Sequence, residues 1–462
     1  VPPNIVLIVA DDLGYGDLSC FGNPDVQTPV LDRLAAEGLR LTQHYSGSAV
    51  CAPARAALLS GRYPHRTGAI DTLEGRGLDR LATREVTLAD RLRLAGYATG
   101  LVGKWHLGAL DPRYHPNRRG FQEFCGFRGG WIDYYRYRLD RNGTVAPGDG
   151  RYATDVFTEE AVAFVERHRR EPFFLHVAYN APHFPLQCPE EDVQPFATTG
   201  RFTPAVSAIY GLNRRMDAGV GRILEALDRH GLREGTLVLF SSDNGPQFGG
   251  QGEASTVRHN GDLQGSKGTV FEGGIRVPAI LRWPDGLPGA GGRVAHLVHF
   301  TDWLPTLLAV AGVDPAGGPA AGALDGRDAL PLLRGEGRGD EPPRFWQWNR
   351  YTPVGEGNAA VREGEWKLVR PRIPEAMRVA PEDLAVDRAL KEVPCPVTEI
   401  SRGPEPERTL SPPAPSLLYH LGDDPYERHD LALQEPQRVR RLESLLEGWF
   451  AEVEQERRSI RD

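Results

Sequence analysis

Ile5-Val6-Leu7-Ile8-Val9-Ala10-Asp11-Asp12 is the stretch that decides the architecture. An unbroken apolar, largely β-branched run has no polar face, so as a strand it needs cover on both sides. Two adjacent carboxylates then mark where that buried strand emerges. The same succession recurs along the chain. Residues 98–102 precede Lys104 and His106, residues 173–178 precede His183, residues 237–240 precede Asp243 and Asn244, and 279–281 form a further apolar run. Helical periodicities lie between them at 30–37, 54–59, 88–94, 157–168, 209–229 and 301–310. Strands alternating with helices predict an α/β fold with a large, mostly parallel sheet sandwiched by helices. Ligands in such sheets bind outside the carboxyl ends of the strands, so the four polar clusters are expected to meet on one edge.

The second part of the chain has a different texture. A Gly/Pro-rich stretch, 315–343, interrupted by the apolar 330–333, reads as a boundary, which divides the chain into 1–335 and 344–462. Strand candidates at 345–348, 366–369 and 417–421 and a helical pattern over 436–453 predict a smaller C-terminal antiparallel sheet with one helix. Residues 371–415 are rich in Pro, Glu and Arg without a sustained period, which predicts a long excursion or a mobile loop. A net charge of −8 argues against a nucleic-acid partner and requires any anion site to be locally positive. No apolar run reaches the roughly 18 residues of a membrane span. The chain opens at Val1 directly into the first strand. This favours a trimmed export signal and a periplasmic or secreted protein, with the cytoplasm as the alternative. Five cysteines, Cys20, Cys51, Cys125, Cys188 and Cys395, show neither metal-finger spacing nor a disulfide framework.

Asp11, Asp12, Asp243 and Asn244 offer hard oxygen ligands, which suit Ca²⁺ or Mg²⁺ better than zinc. Each pair alone has an ordinary reading as a cap or a turn. Adjacent acids at the end of a buried strand, however, repel one another and lose solvation unless a cation joins them. Cys51-Ala52-Pro53-Ala54-Arg55 enters a helix, with Pro53 suited to the first turn. That places Cys51 in the positive field of the helix N-terminus and Arg55 one turn on, although an isolated cysteine is more often a small buried hydrophobe. Lys104 and His106, two apart, point the same way in extended geometry, with Trp105 opposite. They pair a fixed charge with a group that moves protons near neutrality. His183 lies in the proline-flanked Ala181-Pro182-His183-Phe184-Pro185, which suits a positioned acid and a structural histidine almost equally. Lys267 lies in Gly265-Ser266-Lys267-Gly268, and the chain has four lysines in all: Lys104, Lys267, Lys367 and Lys391.

Taken together, these residues resemble a known family. Cys51-Ala52-Pro53-Ala54-Arg55 followed by Leu59-Ser60-Gly61-Arg62 is similar to the sulfatase signature, in which the cysteine of C-x-P-x-R is oxidised to formylglycine. The family's other motifs follow in order: Ala10-Asp11-Asp12-Leu13-Gly14, Gly103-Lys104-Trp105-His106-Leu107-Gly108, Ser242-Asp243-Asn244-Gly245, and Lys267 ahead of Glu272-Gly273-Gly274-Ile275-Arg276. The resemblance implies a sulfuric ester hydrolase of the arylsulfatase type within the alkaline phosphatase superfamily. It implies that Asp11, Asp12, Asp243 and Asn244 bind Ca²⁺ with an oxygen of modified residue 51, Mg²⁺ being the alternative. Arg55 and Lys104 would hold the formylglycine and His106 would contact its hydroxyl. His183 and Lys267 would grip the sulfate ester and serve the leaving oxygen. A formylglycine-generating enzyme becomes a partner in maturation, and a sulfated small molecule or saccharide the substrate.

Two other functions compete. A phosphonate monoester hydrolase or phosphodiesterase of the same superfamily usually carries histidine beside the second metal aspartate and lacks the lysine/histidine pair, so Asn244, Lys104 and His106 favour the sulfatase. A catalytically silent binding protein would keep the fold with Cys51 unmodified. Pro182-His183-Phe184-Pro185-Leu186-Gln187 and Gly129-Gly130-Trp131-Ile132-Asp133-Tyr134-Tyr135 look like the arylsulfatase B, or N-acetylgalactosamine-4-sulfatase, branch. There Trp131, Tyr134 and Tyr135 are candidates for stacking on a sugar. No residue of 126–135 is assignable as a further sulfate contact.

Overall fold

The computed structural model describes residues 2–249, 258–287, 291–316, 322–337 and 341–462. Val1 and parts of the expected boundary, 317–321 and 338–340, lie outside the described residues. A ten-stranded sheet dominates. Its strands in chain order are β1 (Asn4–Ala10), β2 (Leu39–Leu41), β3 (Ala98–Lys104), β4 (Glu123–Phe127), β5 (Arg138–Arg141), β6 (Thr144–Pro147), β7 (Phe173–Ala178), β8 (Thr236–Ser242), β9 (Ala279–Arg282) and β10 (Gly292–Val294). In space they run β10-β2-β9-β8-β1-β7-β3-β4-β5-β6. The central strands β8, β1, β7, β3 and β4 are all parallel. The flanks are mixed, and β9 runs antiparallel to β8, because an apolar run specifies burial but not direction.

Alternation along β1 organises two cores. Ile5, Leu7 and Val9 pack with α2 (Cys51–Ser60), α3 (Leu88–Leu94) and α6 (Trp303–Val310) on one face. Val6, Ile8 and Ala10 pack with α1 (Pro29–Glu37), α4 (Ala153–His168) and α5 (Pro204–Arg229) on the other. Gly103 lets β3 lie against β7: it has φ +100°, and a Cβ there would sit 2.0 Å from the Ala178 carbonyl oxygen.

The second sheet joins β11 (Arg344–Gln347), β12 (Ala359–Glu363), β13 (Trp366–Arg370) and β14 (Leu417–His420) in sequential antiparallel order. One face buries Val361, Leu368 and Leu418 against α8 (Pro436–Arg457), while Trp346, Ala360 and Val369 on the other meet Tyr45, Val270 and Ile275 of the large unit. We propose 1–335 and 344–462 as the corresponding folding units. The 371–415 excursion contains α7 (Pro381–Ala389) and is docked rather than free. Arg76 Nε donates to Asp383 at 2.7 Å, and the Ser401 N–H donates to the Gly75 carbonyl at 2.7 Å.

Candidate active site

The polar clusters converge at the carboxyl ends of β1, β3, β7 and β8. Backbone bonds brace them there: the Asp11 N–H donates to the Ala181 carbonyl at 3.0 Å and the Asp243 N–H to the Ala10 carbonyl at 3.1 Å. Asp12 turns the chain with φ 64°, in the left-handed region, and Arg258 Nη2 donates to its carbonyl at 2.9 Å. Ligand atoms of Asp11, Asp12, Cys51 and His183 lie within 4.8 Å of one another, all buried. Asn244 joins them by donating from Nδ2 to Asp12 Oδ1 at 2.7 Å, and Asp243 Oδ1 accepts the Asp12 N–H at 3.2 Å.

Cations surround the acids. Lys104 Nζ donates to Asp11 Oδ2 at 2.7 Å, Lys267 Nζ to Asp12 Oδ2 at 2.8 Å, and Arg55 to Asp243 Oδ2 from Nε at 3.0 Å and Nη2 at 2.7 Å. Arg55 therefore engages the acids directly, with Cys51 opening its helix one turn earlier. Extended geometry ends at Lys104: His106 has φ 53°, and its N–H is fixed on the Arg128 carbonyl at 3.1 Å. Trp105 points into the core as expected, and Nε1 donates to the Tyr114 carbonyl at 2.8 Å. Tyr134 and Tyr135 do not stack over the site. The Tyr134 hydroxyl is buried 2.9 Å from the His183 carbonyl and 3.0 Å from that of Asn180, bracing the histidine loop, while Tyr135 packs on Tyr152.

Burial, reinforced by the neighbouring Asp243 and Asp12, pushes the Asp11 carboxyl up to about 8 despite Lys104 and Arg55. For Asp12 burial acts in the same sense, but Lys267 and His183 outweigh it and hold the carboxyl well below the usual range. Burial and then Lys104 hold His106 low, and burial and then Lys267 do the same to His183. Burial also pushes the Cys51 thiol up to about 11, more than Lys104 and Lys267 lower it, so an unmodified thiol here is a poor nucleophile at neutral pH. Asp11 Oδ1 and Asn244 Oδ1 are buried without a hydrogen-bond partner. Orphaned hard oxygens beside mutually repelling carboxylates are what an oxygen-seeking divalent cation satisfies, so the residues fit a metal of the calcium or magnesium type.

The Sulfatase family model matches residues 3–313. The chain belongs to the sulfatase family. N-acetylgalactosamine-6-sulfatase of Canis lupus familiaris is 33% identical over 93% of this chain and 82% of its own, and arylsulfatase A of Homo sapiens 35% over 93% and 83%. Among solved structures, Ps i-CgsB in complex with k-i-k-neocarrahexaose matches with a TM-score of 0.80 at 31% identity, covering 97% of this chain and 93% of its own. A phosphonate monoester hydrolase of Agrobacterium radiobacter shares the fold, with a TM-score of 0.62 at 23% identity over 100% of this chain and 96% of its own. Sulfate ester hydrolysis is the activity of this chain's family.

In this sulfatase Cys51, Lys267, His106 and His183 line a cavity of about 510 Å³, while Asp11, Asp12, Asp243, Asn244, Arg55 and Lys104 lie beneath its floor. Sequence reasoning missed Glu74 and Lys391 on its wall. Glu74 accepts from Lys391 Nζ and, at 2.5 Å, from the Gly130 N–H, and its Oε1 lies 3.9 Å from His106 Nε2. Gly130 permits this approach, since a Cβ there would sit 2.9 Å from both Glu74 Oε1 and His106 Cε1. Glu74 lies in a short turn and Lys391 in an aperiodic stretch, so neither carried a pattern; the scarcity of lysine was the available signal for Lys391. Among the described residues no helix is long and apolar enough to cross a membrane.

Proposed function

We propose that this sulfatase hydrolyses sulfate esters of saccharides, with aryl sulfates as surrogate substrates, through formylglycine made from Cys51 and a Ca²⁺ held by Asp11, Asp12, Asp243 and Asn244. The carrying observation is the gathering of Asp11, Asp12, Cys51 and His183 within 4.8 Å at and beneath the floor of the cavity, with Lys267 on its wall and Lys104 and Arg55 paired with the acids below. When present, the cation supplies Lewis acidity and the formylglycine supplies the attacking oxygen. The remaining work falls to side chains already in position. Lys267, with Lys104 behind it, meets charge growing on the sulfuryl oxygens without reorganising. The His183 Nδ1–H donates to the Phe184 carbonyl at 2.6 Å, which turns Nε2 toward Asp12 and the site; burial and Lys267 keep the resting ring neutral, so Nε2 first takes up a proton and then passes it to the leaving oxygen. His106 takes up a proton at the same floor. Because Cys51 is only 2% exposed, the partner enzyme that modifies it would have to act before the chain folds.

Protein co-expressed with a formylglycine-generating enzyme should hydrolyse 4-nitrophenyl sulfate in preference to a 4-nitrophenyl phosphonate ester, and a dominant phosphonate activity would overturn the reading. Cys51→Ala should lower turnover at least ~1,000-fold. The peptide carrying residue 51 should weigh about 18 Da less than its thiol form, and active native-host protein with an intact thiol would sink the nucleophile assignment. The aromatic-loop likeness to N-acetylgalactosamine-4-sulfatase and the N-acetylgalactosamine-6-sulfatase relative favour different ring positions, so sulfate release from both monosulfated sugars is the substrate test.

A further inference from the structure

A second cavity, of about 340 Å³, adjoins the first across a partition of Glu74, Trp131 and Lys391, whose side chains line both. Its walls carry Arg128, Arg136 and Arg138. Arg136 and Arg138 are two apart at the entry to β5, and Tyr137 between them is buried. Among the described residues neither of these guanidiniums has a hydrogen-bonding or ion-pair partner, whereas the acids of the cavity are already engaged. Asp133 accepts from Gln187 Nε2 at 2.7 Å and from the backbone N–H groups of Tyr135 at 2.8 Å and Arg136 at 2.7 Å. Asp140 is met by His115 at 3.1 Å, by Arg128 at 3.2 Å and by the Gly143 N–H at 2.7 Å. The donors to Asp133 are neutral and leave its charge in place, and Arg136 helps to hold its carboxyl low, so of Arg136 and Arg138 one positive charge stays unmatched, in a chain whose net charge is −8. On the partition, Trp131 leans on Phe184 with centroids 5.2 Å apart, and the Lys391 ammonium lies 5.9 Å from the Trp131 ring centroid. An aromatic face beside a cation suits a sugar ring passing between the cavities.

We propose that the second cavity is an anionic subsite, taking a sulfated or carboxylated sugar next to the one whose ester is cleaved. The preferred substrate is then a polyanionic oligosaccharide, an inference that rests on the sulfate-hydrolase reading above. The test is competition against 4-nitrophenyl sulfate turnover by N-acetylgalactosamine 6-sulfate and by a chondroitin 6-sulfate hexasaccharide, in wild type and in the Arg136→Ala/Arg138→Ala double variant. In wild type the hexasaccharide should inhibit roughly tenfold more strongly than the monosaccharide, and the advantage should shrink with added salt. In the variant the advantage should vanish while 4-nitrophenyl sulfate kinetics stay unchanged, which also shows that the variant folds. Equal inhibition by the two sugars, or an advantage that survives in the variant, overturns the subsite. Wild type that leaves 4-nitrophenyl sulfate intact overturns the catalytic reading instead. Calorimetric titration of the hexasaccharide into both proteins then decides the subsite: roughly tenfold weaker binding by the variant supports it, and equal binding refutes it.

Discussion

Asp79, wholly buried, offers Oδ2 to the Gly108 N–H at 3.1 Å and leaves Oδ1 without a partner. Burial, and after it the nearby Glu74, lifts its carboxyl from 3.8 to about 7. The folded chain thus holds this proton more tightly than the unfolded chain. The associated stability is fully present below the unfolded value and is lost as pH rises through about 7. The difference in unfolding free energy between wild type and Asp79→Asn, read from denaturant curves, should accordingly shift against wild type from about pH 5 to about pH 8, on the order of 2 kcal/mol. A flat difference across that range would contradict the assignment. At this scale the sequence revealed residues whose chemistry follows a strand end, such as Asp11, Lys104, His183 and Asp243. It concealed Asp79 and Glu74, whose significance comes from burial and from neighbours distant in sequence.

Elements with a strong period were legible, and the helix of residues 88–94 has the predicted bounds. Short strands without a long apolar run were not: β2, β4, β5, β6, β10 and β12 draw their pairing from neighbours. For 371–415 low periodicity left a long excursion and a mobile loop as alternatives, and the segment is the excursion. It supplies the wall carrying Lys391, held through Arg76, which also donates to the carbonyls of Gly403 at 2.9 Å and Pro404 at 2.8 Å. Arg76→Ala should loosen that wall without unfolding the sheets. Limited proteolysis is expected to nick 390–416 severalfold faster while the melting temperature moves little; unchanged cleavage would mean that other contacts hold the segment.

Across the whole molecule, one buried triad ties the two sheets together. Lys367 of β13 lies 2.9 Å from Glu272 and 2.8 Å from Glu427, and Glu427 Oε2 accepts the Glu272 N–H at 2.7 Å. Replacing the ammonium with an apolar chain leaves two carboxylates facing each other, so Lys367→Met should cost about 3–5 kcal/mol in denaturant unfolding. A neutral result would relocate the coupling to the apolar contacts of Trp346 and Val369. Metal-loaded protein should likewise melt several degrees lower after chelation and recover with added Ca²⁺, the stabilisation rising with free cation as for any ligand of the native state. Indifference to chelator would argue against the proposed cage.

All four lysines are sequestered: the side chains of Lys104 and Lys367 are 0% exposed, Lys391 9% and Lys267 16%, each in an ion pair. An amine-acylating reagent therefore meets almost no lysine on the native molecule, and label acquired at those positions counts molecules that have opened. Acylation monitored by peptide mass should stay near background until the unfolding transition and then rise with it; rapid labelling of Lys104 or Lys367 in native buffer would show that the interior breathes far more than its packing implies.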